Sequence, residues 1–177
     1  MQKIKVNYKD YLKETLKAMR DSGLLLTSAS NEGKINVMTI GWGTIGEIWG
    51  MPMFLVFIRP SRFTYGFVEE TGDFTVNIPP RELRETASFC GSVSGRDHDK
   101  FKERGLTPIS GKNVKSPMIG ECILHYECKV LHKNDIIPAK VPKDVASKFY
   151  PQGDYHGVFF GRILSVFVDR KFYSATH

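Results

Sequence analysis

The sequence predicts a mainly β fold with helical insertions, in which short strands close on one another as a barrel. Three observations carry that prediction. At least six short apolar runs are bounded by Gly, Pro, Asn or Ser, the punctuation of strands. Amphipathic helical stretches are few and fall between those runs. Strands and helices do not alternate regularly, which argues against a doubly wound parallel sheet. With 177 residues, 41% of them hydrophobic, the chain can bury one core without staples, so residues 1–177 are expected to form a single domain.

The elements follow in order. Tyr8, Tyr11, Leu12, Leu16 and Met19 recur at spacings of three and four, predicting an amphipathic helix from about Tyr8 to Asp21. Gly23 then ends it. Leu24–Ser28 and Ile35–Ile40 read as a hairpin around the turn Asn31-Glu32-Gly33. A glycine-punctuated loop, Gly41 to Gly46, precedes an apolar strand from Met53 to Ile58. Arg59-Pro60-Ser61 closes that strand, and Ser61 is the expected N-cap of a helix reaching about Glu70. Phe74–Ile78 reads as a strand stopped by Pro79-Pro80. Helices are expected over Arg81–Phe89, near His98–Glu103 and over Lys143–Phe149. Between the last two, Cys122, Leu124, Tyr126, Cys128 and Val130 alternate with Glu127 and Lys129, the pattern of a half-buried strand. Val158–Val168 is apolar on both faces, as expected of a strand covered by the core on one side and by further protein on the other.

Composition excludes several function classes. No run approaches the roughly 20 apolar residues of a membrane span. The first fifteen residues are charged throughout and lack the apolar centre of a secretion signal, so a cytoplasmic location is expected. Cys90, Cys122 and Cys128 form no C-x-x-C pair and the five histidines no metal-ligand spacing, which disfavours a disulfide framework or structural metal. The net charge of +6 is spread along the chain beside acids, as in Lys102-Glu103-Arg104. A nucleic-acid binder would gather it in one stripe with interleaved aromatics. A mildly basic surface does suit an anionic small ligand.

Two segments have chemistry pointing to such a ligand. Between Asn36 and Pro60, Thr39 and Thr44 offer hydroxyls, while Gly41, Gly43 and Gly46 allow close approach of backbone N–H groups. The same glycines could serve a tight turn. In Arg59–Tyr65, a guanidinium, hydroxyls and a helix start lie together, a ready phosphate site. A capped surface helix with exposed arginines would look alike.

The runs NVMTIGWGTIG, IRPSRFTYGF, FTVNIP, SVSGRDHDKF and DYHGVFFGRI, in that order from about Leu24 to Asp169, resemble the flavin reductase-like family, closest to its flavoredoxin-like branch. The resemblance implies an FMN-binding split β-barrel. It implies that Val37, Met38, Thr39, Ile40, Gly43 and Thr44 flank the flavin ring, largely through backbone groups. It places the FMN phosphate on Arg59, Ser61, Thr64 and Tyr65, has Asn77 close this region, and puts Lys100 near the flavin, across a dimer. His156, in a Gly153-Asp154-Tyr155-His156 run one residue longer than the usual Gly-Asp-His, is implied as a substrate-side group.

The resemblance further implies a homodimer and an oxidoreductase that takes hydride from NAD(P)H as co-substrate. Free flavin, ferric iron or a partner oxygenase would receive the electrons. The alternative is a non-enzymatic electron carrier serving redox partner proteins. Met38-Thr39-Ile40-Gly41-Trp42 stands where many reductases carry Asn-Ser-Phe and further serines. That departure removes side-chain amides and hydroxyls and favours tightly held over turned-over FMN.

Overall fold

The computed structural model describes residues 2–176. The strands are β1 (Lys3–Val6), β2 (Leu24–Ala29), β3 (Ile35–Ile40), β4 (Gly43–Ile48), β5 (Met51–Ile58), β6 (Asp73–Ile78), β7 (Pro108–Ile109), β8 (Met118–Ile119), β9 (Leu124–Asp135) and β10 (Gly157–Asp169). The helices are α1 (Leu12–Asp21), α2 (Phe63–Thr71), α3 (Arg84–Ser92), α4 (Lys100–Glu103), α5 (Lys143–Phe149) and α6 (Arg170–Thr176). One antiparallel sheet runs β3-β2-β6-β9-β10-β5-β4, with β1 added to the end of β10 and β7-β8 a separate ribbon. Its ends, β3 and β4, are not paired with each other, so the barrel is open along that seam.

The sheet encloses the main core of Leu24, Leu26, Phe54, Phe74, Tyr126 and Phe159, with Tyr11, just before α1, and Met19 of α1 packed against it. A second, smaller core lies on the outer face of β2 and β3, where Leu25 and Val37 pack on Ala87 and Cys90 of α3 and Phe101 of α4. Burying apolar area contributes roughly 25 cal/mol per Å², so both faces of β2 are stabilised. This second core presses α3 and the following loop against β3.

Several elements depart from the sequence expectation for identifiable reasons. The first helix begins at Leu12, because Asp10 and Asn7 side chains accept backbone N–H groups at 2.9 and 3.0 Å and make a turn of Asn7–Asp10. Its buried face is Tyr11, Thr15 and Met19, while Leu16 is exposed; Thr15 reaches the Tyr126 hydroxyl at 2.9 Å. Gly23 does end the helix, at φ 78°, a conformation costly for residues with a Cβ.

The glycine-rich loop is instead strand β4, paired with β5 from Gly43↔Val56 to Ile48↔Met51. A Cβ on Gly43 would meet the Leu55 carbonyl at 2.9 Å, so that glycine marks a close approach rather than a turn. The true turn is Trp49-Gly50, both at positive φ, as a tight hairpin requires.

Ser61 is not a helix cap: α2 begins at Phe63, with Arg62 at the N-cap position and no side-chain cap. The outward half of β9 is not solvated, since His125 and Glu127 are fully buried. Glu127 accepts the Lys112 and Asn113 N–H groups at 2.5 and 3.2 Å, and this segment also covers the later half of β10 through Asn113 on Ser165 at 3.0 Å. The double burial at Ser165–Val168 is thus achieved within one chain.

Candidate functional site

Two adjoining cavities open beside the seam. The first, about 150 Å³, lies between β3, the start of α2 and the Cys90–Arg96 stretch. The second, about 210 Å³, is lined by Met38–Trp42, Phe57, Arg59, Arg62 and His156. They share Met38, Thr39 and Arg62, so together they form one groove along β3.

The first cavity is built for an anion. No Asp or Glu lines it, whereas Arg62, Arg96 and Lys100 do. Lys100 is only 3% exposed. Its Nζ donates to the carbonyls of Val37 at 3.0 Å and Cys90 at 2.8 Å and has no carboxylate partner among the described residues. Burial lowers its pKa, because an ammonium without a counter-charge is costly in low dielectric. Arg62 donates to the Gly91 carbonyl at 3.0 Å and Arg96 to the Ser61 carbonyl at 3.1 Å, which fixes both heads at the rim. Asn36 ties β3 to α2 through Thr64 Oγ1 at 2.8 Å. A Cβ on Gly95 would collide with the Asn36 amide, so the loop can lie this close to β3 only with glycine there.

The second cavity is aromatic on one side. The His156 ring centre lies 4.7 Å from that of Trp42 and 6.4 Å from that of Phe57. His156 Nδ1 and the Tyr150 hydroxyl are 2.9 Å apart. The segment 149–156 is stitched down over this region. Arg59 donates to the carbonyls of Asp154 at 2.9 Å and Phe149 at 2.8 Å and lies 5.0 Å from the Tyr150 ring centre. The Asp154 carboxylate accepts from Ser61 N–H at 3.2 Å and Ser61 Oγ at 2.6 Å.

Not all the residues expected here from sequence come together. Met38, Thr39, Ile40, Arg59, Ser61, Thr64, Lys100 and His156 line the groove. Lys100 arrives within the same chain rather than across a dimer. Val37 presents its carbonyl to Lys100, its side chain being in the second core. Thr39 spends its hydroxyl on the Ala87 carbonyl. Four others lie off both cavities. Gly43 and Thr44 stand on the edge strand β4. Tyr65 faces the barrel against Phe159. Asn77 is buried between β2 and β9, its side chain bonded to Leu25 O, Ile119 N and His125. Arg62, Arg96, Asn36 and Trp42 complete the groove and had no individual signal beyond the runs that contain them.

A family profile described as the flavin reductase-like domain matches residues 19–175. The chain belongs to the flavin reductase-like family. The flavoredoxin of Desulfovibrio vulgaris (Miyazaki F) is 30% identical to it, with a TM-score of 0.68 over 84% of this chain and 70% of that one. A split-barrel protein from Shewanella frigidimarina, 19% identical, superposes with a TM-score of 0.69 over 93% of this chain and 76% of that one. The open sheet is accordingly a split barrel, and the likeness to flavoredoxin places this flavin reductase-like chain in the flavoredoxin-like branch. An uncharacterized Archaeoglobus fulgidus protein is 34% identical over 134 residues, 75% of this chain. The chain spans 65% of that relative's length and 48% of another's, from Aeropyrum pernix. No described helix is long and apolar enough to cross a membrane. No group of three or more potential metal ligands occurs among the described residues.

Burial, and then the nearby Arg59 charge, lower the His156 pKa to about 4 against an ordinary 6.5, so the ring in the groove is neutral at pH 7. A nuclear magnetic resonance titration is expected to place its midpoint near 4 rather than near 6.5. Between those values the unfolded chain binds a proton that the folded one does not, so stability falls as pH drops from 6.5 and levels off below the folded pKa. Thermal melts across this range are expected to show a shallower fall for His156→Gln, leaving the share of His125, lowered to about 3 by burial.

Proposed function

We propose that this flavin reductase-like chain binds FMN in the groove and passes hydride from NAD(P)H through it. The observation that carries this is the acid-free cavity, with a buried Lys100 that has no carboxylate partner among the described residues, beside an aromatic-walled one. An anionic head joined to a flat ring matches that pair of environments. Lys100, Arg62, Arg96 and the polar groups of Ser92 and Ser94 would hold the phosphate. Met38–Ile40 backbone, Trp42, Phe57 and His156 would flank the ring. Bound FMN supplies hydride and electron transfer, and the protein supplies binding, orientation and the surrounding field. The 149–156 segment, clamped by Arg59 and Asp154, keeps water from that wall. His156, neutral at pH 7, offers a hydrogen bond there without adding charge.

The protein as purified is expected to be yellow, with FMN released on denaturation. Anaerobic NADH or NADPH is expected to bleach the flavin within a catalytic turnover. Bleaching only by a reduced protein would instead identify a non-enzymatic carrier, the reading favoured by 30% identity to a flavoredoxin. A protein with no affinity for FMN would overturn both. We also infer a cytoplasmic homodimer. Trp49, 61% exposed, and His132 flank Phe160 on the outward side of β10, an apolar patch suited to a second copy. Light scattering on the same preparation tests this, a monomer at micromolar concentration being the contrary result.

A further inference from the structure

We propose that Tyr150 is a positioning residue that holds His156 in one tautomer, with Nδ1 bare and Nε2–H aimed into the groove as a neutral hydrogen-bond donor. The inference deepens the flavin reading above, since it names the ligand edge that the aromatic end of the groove accepts. The tautomer itself stands on this chain's own residues.

The bond between the two side chains has one favoured direction. A neutral imidazole carries a single N–H, and the bond made by one ring nitrogen decides which of the two bears it. His156 Nδ1 and the Tyr150 hydroxyl are 2.9 Å apart, and neither atom bonds to another described residue. Tyr150 is 6% exposed. Were Nδ1–H the donor, the phenol proton would be left buried without an acceptor, at the desolvation cost of that group. With the phenol as donor, both atoms are satisfied. Burial raises the Tyr150 pKa, so its proton is in place at pH 7. The phenol oxygen, whose lone pair is shared with the ring, is also the poorer acceptor of the two atoms.

The pair is held still. Tyr150 stacks on Tyr155 with ring centres 4.3 Å apart, and Trp42 meets it edge-on at 6.2 Å. The Arg59 guanidinium lies 5.0 Å from its ring centre. Its backbone N–H donates to the Ala146 carbonyl at 2.8 Å, and its carbonyl accepts the Gly153 N–H at 3.1 Å. The His156 carbonyl in turn accepts the Ile136 N–H at 3.0 Å. Little side-chain freedom is left to lose when a ligand arrives.

Nε2 is the open end of the ring. It has no hydrogen-bond partner among the described residues and is not one of their enclosed unpaired atoms, and His156 lines the cavity with Met38–Trp42, Phe57 and Arg62. An N–H there suits a flat ring whose edge presents a carbonyl oxygen or an unprotonated ring nitrogen. It opposes an edge that presents N–H, because two donors facing each other leave both unpaired. An oxidised flavin carries such acceptors along its pyrimidine edge.

Long-range proton–nitrogen spectra at pH 7 of protein labelled with nitrogen-15 histidine test this, with the His156 signals assigned by their loss in His156→Gln. The wild-type spectrum is expected to show the Nε2–H tautomer in roughly tenfold or greater excess, the ratio set by an unpaired buried hydroxyl in the alternative. Tyr150→Phe keeps the ring and its stacking, and is expected to cut that excess at least threefold. Saturating FMN is expected to move the Nε2–H proton downfield and to slow its exchange with water at least tenfold. Calorimetry is expected to show FMN binding weakened three- to tenfold by Tyr150→Phe. A dominant Nδ1–H tautomer, or an excess indifferent to Tyr150→Phe, would overturn the positioning role. FMN that binds without moving the Nε2–H signal would overturn the assignment of the ligand edge. FMN that does not bind at all would sink the flavin reading, while the spectrum without FMN still decides the tautomer.

Discussion

Replacing Lys100 by methionine is expected to weaken FMN binding by about 2–3 kcal/mol, roughly 30- to 150-fold, the range for losing charge-assisted hydrogen bonds in a buried site. The same change is expected to leave the flavin-free protein as stable as before, or slightly more so. Lys100 is 3% exposed and, among the described residues, bonded only to two carbonyls. Its charge is therefore a liability to the fold until an anion arrives, and removing one buried, uncompensated ion relieves its desolvation. The pH dependence has a definite sign. Burial holds the folded pKa below the ordinary 10.5, so on raising the pH the folded chain releases its proton first. Stability of the flavin-free protein then rises between the folded pKa and 10.5. FMN should reverse that slope by stabilising the ammonium, and Lys100→Met should abolish it. Calorimetry for affinity and thermal melts for stability check the two halves separately. An affinity unchanged by Lys100→Met would remove the phosphate from this cavity.

How far the groove could be read from sequence depends on whether local pattern or distant packing decides each part. The β2–β3 hairpin and α5 were legible because apolar period and turn residues act within a few positions. Strand β1 was not, since Lys3–Val6 is four residues long and is defined by pairing with Val166–Asp169. The polar face of β9 misled for a similar reason: Glu127 looks solvent-facing until the Lys112-Asn113 segment, about fifteen residues earlier, folds over it. At the site, the SRFT run did announce a helix, although its N-cap is Arg62 and not Ser61. It could not show which arginine turns toward the anion cavity, because that depends on where the 149–154 segment lies. Asn77 entered only through the resemblance, as the asparagine expected to close the phosphate region. Its four-way hydrogen bonding within the sheet explains such a residue without any ligand.

Arg59 and Arg62, three positions apart, are expected to separate sharply on truncation. Arg62 lines both cavities of the groove and holds one carbonyl, that of Gly91, leaving most of its donors for an anion. Arg62→Ala should therefore weaken FMN binding by about 1.5–3 kcal/mol, roughly 10- to 150-fold, the range for hydrogen bonds to a charged group. Arg59 has already committed Nη1 and Nη2 to Asp154 and Phe149 carbonyls and its face to Tyr150. Arg59→Ala should change FMN affinity by less than about fivefold, under about 1 kcal/mol, and act instead on the 149–156 segment. Without the guanidinium, that segment keeps the Asp154–Ser61 contacts and the packing of Phe149 and Tyr150 on Trp42, and Asp154 itself sits at φ 56°, a conformation disfavoured for residues with a Cβ. Hydrogen exchange should accelerate at residues 149–156, and the His156 titration midpoint should move up toward 6.5 as the ring becomes hydrated and loses a neighbouring positive charge. Lysine at 59 would not rescue the exchange rates, because a point charge on a flexible stem cannot span two carbonyls as the planar fork does. If Arg59→Ala instead costs more FMN affinity than Arg62→Ala, the phosphate lies on the His156 side of the groove and the ring must occupy the other end.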